Sequence, residues 1–409
     1  MMRLYLFAPI PYHFLHQRPQ KIADHLRELS IPVTYIEPNG FREYVSGPRK
    51  GFLKSLCTSL GYHALALLSF VYPPLRKKPT GGAARKSRPE GMEKVLLPLV
   101  LPTNRINSPI LERFNAAVIR QAIRRLVFRN MPSGEETVAF VENPFYGQVL
   151  ARGDFSKVFY DCLDEISLYA GLNSPQRYLE YELKLIGLSN AVFVTAGKLE
   201  EHLRSIPQSP PVYRIPNGVD YEWFREQAAR ADVPEDLLGI PRPIVGYVGA
   251  IYNWLDYDLI GTMARNLPDV SFVFVGPADT SSRGTFFTRY GNLHFLGRKA
   301  YEAIPAYIKQ FAVCLIPFVE GKISQTTNPV KVFEYFALGK PVVTTGLYEL
   351  NHYRDRGLLL MPDNGPGFVT AIRKALADTD EQLRILRMQV ARENSWQSHV
   401  SKMKSILCQ

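Results

Sequence analysis

The chain has 409 residues, enough for two or three domains, and its 46% apolar and 21% charged residues exclude a disordered or collagen-like chain. Lys and Arg number 49 against 38 Asp and Glu, a net charge of +11 that favours anionic partners: phosphates, nucleic acid or anionic lipid. Cys57, Cys162, Cys314 and Cys408 stand singly, which excludes a paired metal-ligand spacing and reads as free thiols of a reducing compartment.

The N-terminal apolar run, Met1 to Ile10, is too short for a signal peptide and reads as a first strand, so a cytoplasmic protein is expected. A helix over 17–29 and a strand over 31–37 complete a β-α-β opening, which predicts a parallel sheet with a loop over its carboxyl edge. That loop carries Tyr12, His13, Gln17 and Arg18. His13 and Arg18 are candidate acceptor-binding residues, Arg18 for an anionic acceptor; a plain loop pairing is the other reading of Arg18.

Residues 51–75 are apolar but too interrupted for a membrane span. A basic Gly/Pro-rich stretch follows to Pro89. An apolar helix beside a polybasic loop is the pattern of attachment to an anionic membrane surface, so 51–89 is expected to hold the protein peripherally on the inner face of the plasma membrane. The alternative is a core helix with a solvated loop. Strands follow at 95–101, 137–141, 158–160, 191–195 and 213–216, separated by helices at 110–128 and 178–188. The 137–141 strand runs into Glu142-Asn143-Pro144, and the 158–160 strand into Asp161-Cys162-Leu163-Asp164. The cluster of acids after the 158–160 strand puts carboxylates at the sheet's active edge. Asp164 first and Asp161 second are candidate catalytic bases, with capping of a helix or ordering of the loop as the other reading of Asp164.

Residues 222–242 are polar with two prolines and read as a linker. The pattern then restarts, with strands at 244–248, 270–275, 294–296, 313–317, 342–343 and 358–361. Before the fifth of these comes Thr326-Thr327-Asn328-Pro329-Val330-Lys331-Val332-Phe333-Glu334-Tyr335-Phe336-Ala337-Leu338-Gly339. Asn328 reads as the N-cap, Pro329 as the first helical residue and Gly339 as the left-handed stop. Val332, Phe333, Phe336 and Ala337 share one face, Lys331 and Glu334 the other. A cation in the first turn and a carboxylate one turn on suit a phosphate at the helix start and a sugar hydroxyl on the acid. The bland reading is a surface pair worth roughly 0.2–0.5 kcal/mol.

Taken together, Gln17-Arg18-Pro19-Gln20, Tyr160-Asp161 with Asp164-Glu165, Ile215-Pro216-Asn217-Gly218-Val219-Asp220, Gly246-Tyr247-Val248-Gly249-Ala250, Phe295-Leu296-Gly297 and Asn328-Pro329-x-Lys331-x-x-Glu334-Tyr335 resemble bacterial GT-B glycosyltransferases near family 4 (group 1), of the teichuronic acid and exopolysaccharide type. The resemblance implies an α/β fold of two Rossmann-like domains facing across a cleft. The expected bounds are 1–220 for the acceptor domain, 221–242 for the linker and 243–394 for the nucleotide-sugar domain, with 395–409 packing back on the first. It implies a glycosyltransferase that moves a sugar from a nucleoside-diphosphate sugar to a hydroxyl of a saccharide or lipid-linked acceptor in cell-surface polysaccharide synthesis. By resemblance Glu334 takes the ribose, and Lys331 with the N–H groups near Thr327 and Asn328 faces the diphosphate. Gly249 admits close approach to phosphate or sugar, and Arg298 lies near the base. No metal or other cofactor is implied, because positive protein groups replace it at the leaving diphosphate.

Two departures stand out. Thr326 occupies a position where the family commonly has Glu. The segment Ile251-Tyr252-Asn253-Trp254-Leu255-Asp256 lacks the Arg and Lys usual after the glycine loop. Lys331 then carries more of the diphosphate charge, and retention or inversion stays open. Asp256-Tyr257-Asp258 reads as the start of a helix rather than a metal motif. The alternatives are a catalytically inactive GT-B protein that binds a glycan or partner, and a nucleotide-sugar epimerase. Nucleic acid is not an expected partner, since the basic residues cluster without interleaved aromatics. No Gly-x-Gly-x-x-Gly follows either first strand, which argues against a dinucleotide oxidoreductase.

Overall fold

The computed structural model describes residues 2–10, 12–13, 17–37, 93–96, 109–129, 134–165, 175–278 and 286–409. The apolar-basic segment 51–89 lies outside them. The chain divides into two compact units: Met1–Val194 with Glu200–Arg214 and Met403–Gln409, and Thr195–Leu199 with Ile215–Lys402.

Among the described residues unit 1 is built on seven strands: β1 (Met2–Phe7), β2 (Val33–Glu37), β3 (Glu93–Leu96), β4 (Glu136–Val141), β5 (Lys157–Cys162), β6 (Ala191–Val194) and β7 (Val212–Arg214). They pair in the order β3-β2-β1-β4-β5-β6-β7, all parallel. Strands covered on both faces read as continuous apolar runs, and Leu4 to Phe7 and Val138 to Val141 are fully buried. The helices are α1 (Arg18–Glu28), α2 (Pro109–Arg129), α3 (Pro175–Leu188) and α4 (Gly197–Ser205). From β1 the chain goes to β2 on one side and later to β4 on the other, so the strand order reverses at the β1/β4 seam.

Unit 2 repeats the plan. Helix α5 (Tyr221–Arg230) precedes β8 (Ile244–Val248), α6 (Tyr257–Asn266), β9 (Ser271–Val275), β10 (Leu293–Gly297), α7 (Ile304–Gln310), β11 (Val313–Ile316), α8 (Lys322–Thr326), α9 (Val330–Ala337) and β12 (Val342–Thr344). Helices α10 (Asn351–Asp355), α11 (Gly365–Leu376), α12 (Glu381–Glu393) and α13 (Trp396–Leu407) end the chain. The parallel sheet runs β10-β9-β8-β11-β12 and reverses at the β8/β11 seam.

Three local readings change. The polar stretch 222–242 is not an open linker: α5 packs Tyr221 and Phe224 into the unit 2 core and also buries Ala228, because sparse apolar residues one and two turns apart suffice for one buried face. The tail after 395 is a helix whose Trp396, Val400, Met403 and Leu407 are buried at i, i+4, i+7 and i+11; residues 395–402 belong to unit 2 and only 403–409 to unit 1. The 358–361 strand shrinks to a single bridge, Leu360 to Val343.

Candidate functional site

In unit 2 the carboxyl edge is shaped by two glycines. Gly249 follows β8 with φ +148° and donates its N–H to the Val275 carbonyl at 2.9 Å. Gly276 follows β9 with φ +154°, and a Cβ on it would collide with the Gly249 carbonyl. Few L side chains tolerate such φ values, and the two backbones close on each other only without Cβ atoms.

Helix α9 follows β11 and α8, and its N-terminus meets this edge. The expected cap is displaced by one residue: Pro329 takes the N-cap position, since its own extended ψ of 116° keeps it out of the helix. Asn328 is used elsewhere. Its side-chain oxygen accepts the Asn217 N–H at 3.1 Å, and its carbonyl accepts Asn217 Nδ2 at 2.7 Å. The Pro216-Asn217-Gly218 turn thus lashes the helix start. One turn on, the Tyr335 hydroxyl accepts the Val248 N–H at 3.0 Å, which ties α9 to the end of β8. Gly339 ends the helix at φ +67°, as the stop reading required.

These ties place Lys331 against Gly249, where a Cβ would collide with the lysine Cε. The Lys331 ammonium lies over the rings of Tyr247 and Phe318, 5.6 and 5.4 Å from their centroids, and forms no ion pair among the described residues. Burial pushes its pKa down, opposed by the charge of Glu334. Glu334 is only 8% exposed. A surface Lys–Glu pair would be solvated on both sides, so the bland reading of this spacing does not hold. A lone cation over aromatic rings at the edge of a sheet, beside a Cβ-free backbone, is an arrangement that an anion completes.

Around it, Tyr301 stacks on Trp223 with centroids 5.2 Å apart, and burial with the nearby charges of Glu334 and Asp220 drives its hydroxyl pKa well up. Arg298 follows Gly297 at the end of β10, and Thr327 is half-buried just before Asn328. Thr326 is buried. The segment after Gly249 is an apolar plug: Ile251 and Leu255 are buried, and Asp256 caps α6 by accepting the Leu259 N–H at 2.8 Å. Asp256 therefore acts as the helix start expected of it. Among the described residues no group of three or more His, Cys, Asp or Glu is placed to hold a metal ion.

The carboxyl edge of unit 1 has different chemistry. Arg18, at the first turn of α1, donates Nε and Nη2 to the two oxygens of Asp161, each at 2.8 Å. Both side chains are buried. Asp161 sits inside β5 rather than beyond it, since Cys162 continues the ladder against Val194. Arg18, expected as an anion contact, and Asp161, expected as a base, are joined in a buried bidentate pair, the loop pairing that is the other reading of Arg18. Asp164 lies past the strand end and is half-buried. Tyr12 and His13, after β1, meet edge to face at 5.4 Å, and Tyr12 donates its hydroxyl to Asp24 at 2.6 Å. Sequence reasoning missed Asn217 and Tyr335 as tethers. Glu142 carries no signal in the sequence beyond its place after a strand.

Residues 242–378 match the family described as Glycosyl transferases group 1. The second unit carries a group 1 glycosyltransferase domain. The chain is 26% identical over 280 residues to TuaH of Bacillus subtilis (strain 168), a protein assigned to teichuronic acid biosynthesis as a glycosyltransferase; the match covers 64% of this chain and 70% of TuaH. Among solved structures, sucrose-phosphate synthase from Thermosynechococcus elongatus superposes with a TM-score of 0.67 at 14% identity, covering 100% of this chain and 98% of that one. An E. coli trehalose-6-phosphate protein bound with UDP-2-fluoro glucose gives 0.62 at 12% identity over 100% and 99% of the chains. WaaG, a glycosyltransferase of lipopolysaccharide biosynthesis, gives 0.60 at 14% identity over 99% of each. The structural likenesses are of fold, and that fold is GT-B. Family domain, relative and fold together make this chain a glycosyltransferase. Among the described residues no helix is long and apolar enough to cross a membrane.

Proposed function

We propose that the chain transfers a sugar from a nucleoside-diphosphate sugar, held by unit 2, to a hydroxyl of a saccharide or lipid-linked acceptor, held by unit 1, in the synthesis of a cell-surface polysaccharide. The observation that carries this reading is Lys331: a cation without an ion pair among the described residues, set over two rings against Gly249 at the start of α9. The diphosphate lies there, with Lys331 and the N–H groups after Thr327 and Asn328 taking up the charge that grows on the leaving group. These protein groups do the work that a metal ion does in other transferases. Glu334, one turn further, accepts the ribose hydroxyls, and Arg298 lies beside the base. In unit 1, His13 and Asp164 face the acceptor. The relative's assignment to teichuronic acid synthesis supports a cell-envelope product. The apolar-basic segment 51–89 and the net charge of +11 support peripheral attachment to an anionic membrane.

The test is a thermal-shift screen of UDP, GDP, ADP and TDP on the wild type and on Glu334→Ala. A ligand at 100 times its dissociation constant adds about 2.7 kcal/mol of stability. One nucleotide stabilising the wild type and failing on the variant is the expected result; no response to any nucleotide sinks the donor site. A second reading, an inactive paralogue that binds glycan, is favoured by Thr326 standing where the family commonly has Glu. Nucleotide binding without transfer to any acceptor would support it. Sedimentation with anionic vesicles, unchanged after deletion of 51–89, would remove the membrane attachment.

A further inference from the structure

Unit 1 holds a buried acid that none of the bonds described above uses. Glu142 follows β4 directly and donates its backbone N–H to the Phe7 carbonyl at the end of β1, 3.2 Å away. It therefore stands on the β1/β4 seam, where the strand order reverses and where open parallel sheets bind ligands. Its side chain is 5% exposed, and neither carboxyl oxygen has a hydrogen-bond partner among the described residues.

The position is rigid. Asn143 accepts the Phe145 N–H at 3.0 Å, and Pro144 begins a 3-10 turn over Pro144–Gln148. Gly147 in that turn packs so close to α3 that a Cβ would collide with the Tyr181 carbonyl. Among the described residues the charges that act on Glu142 are those of Asp161 from β5 and Arg18 from α1, and Glu142 in turn acts on the Tyr35 hydroxyl of β2. Arg18 and Asp161 already neutralise each other, so an ionised Glu142 would have no cation of its own. Burial, and then the charge of Asp161, pushes its carboxyl pKa well up against the weaker pull of Arg18. A neutral carboxyl offers one donor and one acceptor, and a sugar hydroxyl offers the same pair. In so closed a place an unmade hydrogen bond is costly and a made one is strong.

We propose that Glu142, beside the Arg18–Asp161 pair at the β1/β4 seam, binds an uncharged hydroxyl of the saccharide acceptor by both donating and accepting a hydrogen bond. It moves no proton; it fixes where the acceptor lies and favours a hydroxyl over a phosphate or carboxylate, because among the described residues the Arg18 guanidinium at the seam is bound to Asp161. The inference rests on unit 1 being the acceptor side, as proposed above.

The variants Glu142→Gln and Glu142→Leu separate the roles. Gln keeps one donor and one acceptor, while Leu keeps the bulk and removes both. Three readings are taken on each: melting temperature, nucleoside-diphosphate shift, and transfer of labelled sugar to acceptors in a bacterial membrane extract. Both variants are expected to melt at or above the wild-type temperature and to keep the nucleotide shift. Gln keeps transfer within a few fold, while Leu loses at least about tenfold, mostly through the acceptor KM. Wild-type transfer by the Leu variant overturns the proposal, because water then suffices as the partner. So does a fall of several degrees in melting with Leu alone, which marks a structural role. Loss with Gln as severe as with Leu also overturns it, because the acid would then be a proton acceptor. A wild type without a nucleotide shift sinks the donor reading, and Glu142 is then judged on transfer and melting alone.

Discussion

The two sheets reverse strand order in the same way and carry opposite chemistry at the reversal. At the β8/β11 seam of unit 2, Lys331 lies over two aromatic rings with no ion pair among the described residues, one turn from a buried Glu334. At the β1/β4 seam of unit 1, the Arg18 guanidinium is bound to Asp161 by two 2.8 Å bonds, and the group left over is an acid, Glu142. One edge keeps a cation in reserve and the other spends its cation internally. A doubly wound sheet fixes where a ligand lies, and the side chains left uncommitted there fix which ligand.

Five experiments break or sharpen this contrast. The largest effect is expected from Lys331→Met, which removes the reserved cation: transfer should fall on the order of 10²–10³-fold with loss of the nucleotide shift. The melting temperature should hold, because a desolvated lysine without an ion pair adds little to stability; a variant that still binds nucleotide would end the reading of unit 2. Next comes Arg18→Met, which strands Asp161 as an unpaired buried charge at a cost of about 3–5 kcal/mol. Chemical denaturation would measure it, and the double variant Arg18→Met, Asp161→Leu should recover much of the loss. If the single variant is as stable as the wild type, the pair is not the buried charge unit described.

The two edges also titrate in different directions. The Lys331 pKa is lowered, so nucleotide binding should weaken with rising pH sooner than an ordinary lysine near 10.5 would allow, and Lys331→Arg should remove the effect. The Glu142 pKa is raised above its unfolded value of about 4.5, so the folded state binds the extra proton. Its stabilising contribution is complete below that value and is lost as pH rises through the folded pKa. The melting difference between wild type and Glu142→Leu should stay constant below about pH 4.5, and the wild type should lose stability relative to the variant as pH rises through the folded pKa. The smallest effect is expected from Asn217→Ala, which frees the start of α9 at a cost of about 1 kcal/mol and should weaken nucleotide binding more than it lowers melting.

Much of this was legible in the chain. The apolar runs Leu4–Phe7 and Ile244–Val248, with amphipathic helices between strands, are patterns of local period, and they led to two parallel sheets. Gly339, Asp256 and the apolar face of α9 were readable for the same reason, since capping and face are decided within one or two turns. The displaced start of α9 was not, because Asn328 is recruited by Asn217, 111 residues away. Helix α5 was hidden by its polar composition. The i, i+4, i+7, i+11 spacing of Trp396, Val400, Met403 and Leu407 was present in the chain and would have revealed α13.

The sequence by itself determined the elements, their order and the group 1 motifs, because those follow from short-range periodicity and from residue types at fixed spacing. Only the tertiary structure decided the state of each charged group. Arg18 and Asp161 are 143 positions apart and meet only because α1 and β5 share a sheet edge. Lys331 keeps its charge uncommitted because Tyr335 and Asn328 fix α9 against Gly249. Among the described residues the Glu142 carboxyl has no hydrogen-bond partner, and the charges that act on it, Arg18 and Asp161, are bound to each other. Charge pairing acts through space over a few ångströms, and distance along the chain carries almost no information about it.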